Sequence, residues 1–126
     1  MARPASRHPT ELELLILKII WDIGPCPVRT VREALAPKRK LAYTSVMTIM
    51  NIMVAKKYLS RKKVGPSYTY QPRVTKTATV RGMLKDLVTR VFDGSAAAVV
   101  LNLLETTSLD EQELVRIRAM LDQNAP

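Results

Sequence analysis

Residues 44–71 read TSVMTIMNIMVAKKYLSRKKVGPSYTYQ, and inside this stretch the apolar period changes from 3.6 to 2. Val46, Ile49, Met50, Met53 and Val54 recur at i, i+3, i+4, i+7 and i+8, which predicts one buried stripe on a helix over about Thr44–Tyr58. Lys56 and Lys57 suit the negative end of that helix. Leu59–Val64 and Ser67–Gln71 then flank Gly65-Pro66, with Tyr68 and Tyr70 on one face of the second arm and Thr69 on the other. Arg61, Lys62 and Lys63 make this a basic β-hairpin.

Two further helices precede it. Thr10-x-x-Glu13 is a capping box, and it opens Glu11–Asp22, where Leu12, Leu14–Leu17, Ile19, Ile20 and Trp21 leave almost no polar face. A short helix of that kind must be buried on several sides. Gly24-Pro25-Cys26-Pro27 stops it. Val28–Ala36 carries Val31, Ala34 and Leu35 at helical spacing, and Pro37-Lys38-Arg39-Lys40 is a basic break. Three helices followed by a hairpin are a winged helix-turn-helix.

Beyond the hairpin, Val80, Met83, Leu84, Leu87, Val88, Val91 and Phe92 form a helical stripe over about Lys76–Phe92, closed by Asp93-Gly94. Ala96–Leu104 is apolar nearly all round, and Ser108-x-x-Glu111 reads as a second capping box opening a last helix with Leu114, Ile117 and Leu121 inward. The fold class is therefore mainly α with a small β-hairpin. The expected organisation is a flexible basic tail over 1–9, a winged-helix DNA-binding domain over 10–73 and a helical dimerisation domain over 74–123.

The 126 residues, 47% apolar and 25% charged, fit one ordinary domain or two small ones and exclude a disordered chain. Apolar runs such as Ala96–Leu101 are too short for a membrane span, and MARPASRHP does not read as a signal peptide, so no membrane insertion and a cytoplasmic location are expected. Cys26 cannot form an internal disulfide, and between two prolines it reads as a small turn residue rather than a nucleophile. His8 is the only histidine and no glycine-rich phosphate loop exists, so no enzyme, metal or cofactor is expected.

The net charge of +9 is unevenly divided. Met1–Arg73 holds fourteen basic and four acidic residues, a net of +10, whereas Val74–Pro126 holds six and seven, a net of −1. Such asymmetry points to a polyanion-binding segment joined to something else, although a solvated basic face has the same composition. A helix in a DNA major groove reads base edges from near its N-terminus. The third helix offers Tyr43, Thr44, Ser45, Met47, Thr48 and Asn51 for that purpose, Asn51 having the groups to pair with adenine. No Arg projects from this face. Lys40 before the helix, and Arg61, Lys62, Lys63, Ser67 and Tyr68 on the hairpin, are the candidate backbone contacts. Each of these can equally be an ordinary polar or solubilising side chain on the surface of an element whose other face is buried.

Three short helices cannot enclose the apolar residues of the second half. A symmetric homodimer interlocking through Leu84, Leu87, Val88, Val91, Phe92, Val99, Val100, Leu103, Leu104, Leu114, Ile117 and Leu121 would, and its two-fold axis would match a palindromic operator. The alternative is that this half folds back on the winged helix as one monomeric core.

The run Leu12-Glu13-Leu14 through Ile20-Trp21, then Leu41-Ala42-Tyr43-Thr44-Ser45-Val46-Met47-Thr48-Ile49-Met50, then Tyr68-Thr69-Tyr70, resembles the BlaI/MecI/CopY family of bacterial penicillinase repressors, in order from about Thr10 to Leu121. The resemblance implies a dimeric winged-helix repressor bound to double-stranded DNA. It also implies relief of repression when a membrane-bound sensor protease triggers cleavage in the dimerisation domain. The family's scissile pattern, Asn before a hydrophobic residue, falls on Asn102-Leu103, with Leu103 in place of the usual aromatic. Asn102 is otherwise a polar residue fixing register in an apolar helix. Family members usually carry Arg where this chain has Ile52, and Lys-Gly or Lys-Asn where it has Lys56-Lys57. Operator contact at Ile52 is then lost, or Lys56, Lys57 and the hairpin carry it. The Cys-x-Cys cluster of the copper-responsive branch is absent from this sequence. A protein–protein or RNA-binding adaptor on the same fold is the other function class; its RNA form is weakened by an aromatic content of 5%.

Overall fold

The computed structural model describes residues 8–125. In chain order the elements are α1 (Glu11–Ile23), α2 (Val28–Leu35), α3 (Tyr43–Ala55), β1 (Leu59–Val64), β2 (Ser67–Pro72), α4 (Lys76–Val91), α5 (Ala96–Thr106) and α6 (Glu111–Asn124). Mainly helical with one antiparallel hairpin, this is the winged-helix order read from the sequence.

The capping box at α1 forms as expected: Thr10 Oγ1 accepts the Glu13 amide at 3.2 Å and Glu13 Oε1 accepts the Thr10 amide at 2.8 Å. Ile16, Leu17 and Ile20 of α1, Val31 and Leu35 of α2, Val46, Met50 and Met53 of α3, with Leu59 and Tyr70 of the hairpin, make one core. Burying each such side chain contributes about 1.5–3 kcal/mol, so this layer supplies most of the stability of the first unit. The Trp21 indole donates to the Val74 carbonyl at 2.9 Å, tying α1 to the segment that leads into α4.

The third helix stops at Ala55, three residues before the expected end at Tyr58. Lys57 adopts φ +68°, the Lys57 amide bonds Val54 O at 3.0 Å and the Tyr58 amide bonds Met53 O at 2.9 Å. These two bonds are a Schellman cap, whose left-handed residue is usually Gly or Asn. A lysine there hides the stop signal.

In the hairpin Val64 pairs with Ser67 across Gly65-Pro66. Gly65 at φ +60°, followed by a proline fixed near −65°, meets the need of a tight turn for positive φ at its first central position. The register pairs Leu59 with Pro72, Arg61 with Tyr70 and Lys63 with Tyr68, so these lie on one face, while Lys62 and Thr69 lie on the other. Cys26 adds a short third bridge, its amide bonding Tyr70 O at 3.1 Å and its carbonyl accepting the Tyr70 amide at 2.9 Å. Cys26 is thus a buried sheet partner as well as a turn residue, and burial pushes its thiol pKa up.

The chain divides into two compact units, one ending at Met83 and the other starting at Leu84, with the boundary inside α4. The expected flexible tail lies mostly outside the described residues; of it, His8 and Pro9 are half-buried, and a side chain at Gly82 would meet the His8 ring at 3.4 Å. In the second unit, Ser95 caps α5 by accepting the Ala98 amide at 3.1 Å. The last helix departs from expectation: its cap is Asp110, which exchanges bonds with Glu113 at 2.7 and 3.2 Å, not Ser108 with Glu111. An ionised cap beside the positive helix end is the stronger of two overlapping patterns.

Candidate nucleic-acid interface

The outward face of α3 carries Tyr43, Thr44, Ser45, Thr48 and Ile52, all exposed, opposite the buried Val46, Met50 and Met53. Met47 and Asn51 are half-buried at its margin toward the hairpin. Ala42 starts the helix without a side-chain cap, and no acidic residue occupies the first turn. That helix end therefore keeps its attraction for anions. Thr48 Oγ1 donates to the Thr44 carbonyl at 2.9 Å, which leaves its lone pairs outward. Lys38, Arg39 and Lys40 lie exposed just before α3, and the Arg32 guanidinium holds this connection by donating to Leu41 O at 3.0 Å.

On the hairpin Arg61, Lys62, Lys63, Ser67 and Tyr68 are all exposed. The pleat divides the three cations, Arg61 and Lys63 sharing a face with Tyr68 and Lys62 facing away. Tyr43 and Met47 of α3 meet Ser67 and Tyr68 of the hairpin around one groove of 460 Å³, with Arg29 of α2 at its edge. Arg29 was not among the expected contacts; it pairs loosely with Glu33 at 3.4 Å, and its side chain is 83% exposed.

Asn51, an expected DNA contact, and Lys56, which the sequence left as an alternative to a contact at Ile52, have partners inside the protein. Lys56 Nζ lies 3.1 and 3.0 Å from the two carboxylate oxygens of Glu13, a residue only 3% exposed, so this ammonium braces α1 against the end of α3. Asn51 Oδ1 accepts from Arg61 Nη1 at 2.9 Å and from the Tyr70 hydroxyl at 2.8 Å. The Arg61 guanidinium also sits 4.5 Å from the centre of the Tyr68 ring. Neither link leaves a periodic trace in the sequence.

The second unit offers a different surface. Leu84, Leu87, Val91, Val100, Leu103, Leu104 and Leu121 are exposed, while Val88, Phe92, Val99, Leu114 and Ile117 are half-buried. Among its described residues none is buried, and Val91, Leu101 and Leu121 each keep about 60% of their surface exposed, at 62%, 59% and 59%. Asn102 is exposed and donates to the Ala98 carbonyl of its own helix at 2.8 Å, so within one chain it is not a buried register residue.

A family model described as penicillinase repressor matches residues 9–123. The chain belongs to the penicillinase repressor family. It is 30% identical to "Transcriptional regulator BlaI" of Mycobacterium tuberculosis over 91% of this chain and 84% of that protein. It is 21% identical to the "Penicillinase repressor" of Bacillus licheniformis, over 91% and 90%, and 20% identical to "Methicillin resistance regulatory protein MecI" of Staphylococcus aureus, over 86% and 88%. Penicillinase repressors are regulators of transcription, not enzymes. Among the described residues no cluster of three or more His, Cys, Asp or Glu could hold a metal, and no single helix is long and apolar enough to cross a membrane. In this chain Lys57 occupies the left-handed conformation that Gly adopts most readily.

Proposed function

We propose that this protein is a homodimeric, sequence-specific DNA-binding transcriptional repressor, with α3 in the major groove and the hairpin on the backbone. What carries the reading is the polar outward face of α3, with Thr44, Ser45 and Thr48 free of the core, set beside a hairpin whose exposed cations are Arg61, Lys62 and Lys63. Hydroxyls there can bond phosphates or base edges, and Ile52 offers an apolar contact to a thymine methyl. The test is footprinting on the promoter upstream of the protein's own gene. A protected palindrome, with affinity well above that for a random duplex at the same salt, is expected. Equal binding to every polyanion would leave the adaptor class standing instead.

Dimerisation through α4, α5 and α6 is part of this reading, supported by the apolar side chains that a single chain leaves open. Sedimentation at micromolar concentration checks it, and a strictly monomeric chain refutes it. A charge inserted among these side chains, Leu103→Glu with Leu104→Glu, should give monomers.

Relief of repression by proteolysis at Asn102-Leu103, through a membrane-bound sensor pathway, completes the proposal. The bond sits within α5, where Asn102 bonds Ala98 O at 2.8 Å and its carbonyl accepts from Thr106 Oγ1 at 2.7 Å. A protease needs extended backbone, so cutting requires local opening of α5, and exposed helices of this kind open at little cost. Incubation with extract from induced cells, followed by mass measurement of the fragments, gives a cut between 102 and 103 or removes this pair from the account.

A further inference from the structure

Tyr70 is 1% exposed, and its hydroxyl donates to Asn51 Oδ1 at 2.8 Å. The same oxygen accepts Arg61 Nη1 at 2.9 Å, and the Arg61 guanidinium lies over the Tyr68 ring at 4.5 Å. A continuous relay thus runs from the core to the surface and joins α3 to both strands of the hairpin. We propose that Tyr70 and Asn51 are positioning residues that hold the Arg61 guanidinium between α3 and the hairpin, where it clamps one phosphate of the bound duplex. The inference rests on the DNA-binding reading above and goes beyond it by giving Asn51 and the buried Tyr70 different work.

Three arguments support the relay. First, a helix in a major groove and a ribbon at the neighbouring minor groove have one sugar–phosphate strand between them. A side chain that bridges the two elements faces that strand. Second, Arg61 spends one of its five N–H donors on Asn51 and keeps the Nε and Nη2 edge for two parallel bonds to a phosphate. Its tether and ring stack fix a side chain that would otherwise be ordered only on binding. Third, the Asn51 oxygen has two lone pairs and two donors already on it. Pairing with adenine needs that oxygen to accept from the base, so Asn51 acts through Arg61 and is no adenine reader. The relay also brings a cation to the margin of a helix face that has none of its own.

Tyr70→Phe is the decisive variant, because it removes one buried oxygen that no ligand can touch. The full-length chain is titrated, by fluorescence anisotropy over a range of salt, with the footprinted duplex and with a random duplex of equal length. Arg61→Ala should lower affinity on both duplexes and reduce the salt slope by about 0.9, one phosphate's worth. Tyr70→Phe and Asn51→Ala should each weaken both duplexes several-fold, move the slope in the same direction, and add little to Arg61→Ala in double variants. Thermal melts check that each variant is folded; Asn51→Ala serves as the second variant because it is half-buried on a helix that Ala suits. Wild-type affinity and slope in Tyr70→Phe overturn the inference. So does a loss that adds fully to Arg61→Ala with the slope unchanged, since the hydroxyl would then serve the fold alone. A relaxed preference at one adenine in Asn51→Ala, with the slope intact, returns Asn51 to base reading. If the wild-type chain binds no duplex at all, the DNA-binding reading fails first, and the relay with it.

Discussion

The sequence leaves open whether Lys56 helps to carry operator contact, and the structure ties it to Glu13, so its replacement by Ala is the sharpest experiment. Its ammonium lies 3.0 Å from Glu13 Oε2 and 3.1 Å from Oε1, with its side chain 26% exposed and that of Glu13 4% exposed. Lys56→Ala leaves a buried carboxylate whose remaining partner is the Thr10 amide at 2.8 Å. Breaking a fully buried pair by removing one member costs about 3–5 kcal/mol. The partial exposure of Lys56 lets water into the vacated space, and the Thr10 bond survives, so a loss of about 2 kcal/mol is expected. For a unit of this size that lowers Tm by roughly 8–16 °C.

The assay is thermal denaturation by circular dichroism at matched protein concentration, because association also shifts Tm. Glu13→Gln with Lys56→Met removes both charges together, and Gln keeps the capping-box position, so the double variant should recover most of the loss. In the same samples the salt slope of DNA binding should equal that of the wild type, since an ammonium bonded to Glu13 releases no counterion from the duplex. A Tm within about 3 °C of the wild type, together with a slope reduced by about 0.9, would mean that Lys56 faces phosphate and that the brace is illusory.

Lys57→Gly should raise stability by about 0.5–1 kcal/mol, since φ +68° strains any side chain there; an unchanged or lower melting temperature refutes the strain. Replacing Lys62 and Lys63 by Ala together should weaken binding to all sequences and flatten its salt dependence. Singly, Lys63, on the face of Arg61 and Tyr68, should account for the larger share, and equal single effects would deny that the pleat sorts them. Burial raises the Cys26 thiol pKa above its ordinary value, so the folded state holds this proton longer than the unfolded state does. Stability from this group is therefore complete below about pH 9 and lost as pH rises through the folded pKa. Tyr58 adds the same sign at higher pH, its pKa raised first by burial and then by the Glu13 charge, against a smaller opposing effect of Lys56. Melts of the wild type and of Cys26→Ser between neutral and alkaline pH check this; identical slopes against pH would remove Cys26 as a cause.

The elements were legible because each rests on a local rule. The stripe Val46, Met50 and Met53, the Thr10–Glu13 box and Gly65-Pro66 all act within one or two turns of chain, and each appears where its rule predicts. The failures come from two physical sources. Overlapping local patterns compete, as Ser108 with Glu111 competes with Asp110 with Glu113, and the charged cap wins. Lys57 is left-handed without announcing it, because the sequence spells a helix-compatible residue. The second source is distance along the chain. Glu13 and Lys56 are 43 residues apart, Trp21 and Val74 are 53, and Asn51 and Tyr70 are 19. Polar contacts across such separations have no period, so Lys56 and Asn51 looked free when each had a partner waiting.

Those internal partners also change what the charge means. Of the net +10 up to Arg73, Lys56 is spent inside the fold and Arg29 sits near Glu33, while the exposed cations flanking α3 in sequence and on the hairpin cluster in the segments 38–40 and 61–63. A handful of phosphate contacts supports only binding in the range of about 10⁻⁴ to 10⁻⁶ M at physiological salt. Operator recognition needs about 10⁻⁸ M or better. On the proposed reading the gap closes when two winged helices are joined, because linkage multiplies affinity by about 10² to 10⁴ with no new contact on either half-site. The open apolar helices beyond Leu84 would supply that linkage. A cut in α5 would then abolish the linkage while leaving α3, the hairpin and the Tyr70 relay intact, and each half would fall back to the weak regime. Release would follow from lost linkage alone, so the isolated winged-helix fragment should still show the same salt slope per half-site on half-length DNA.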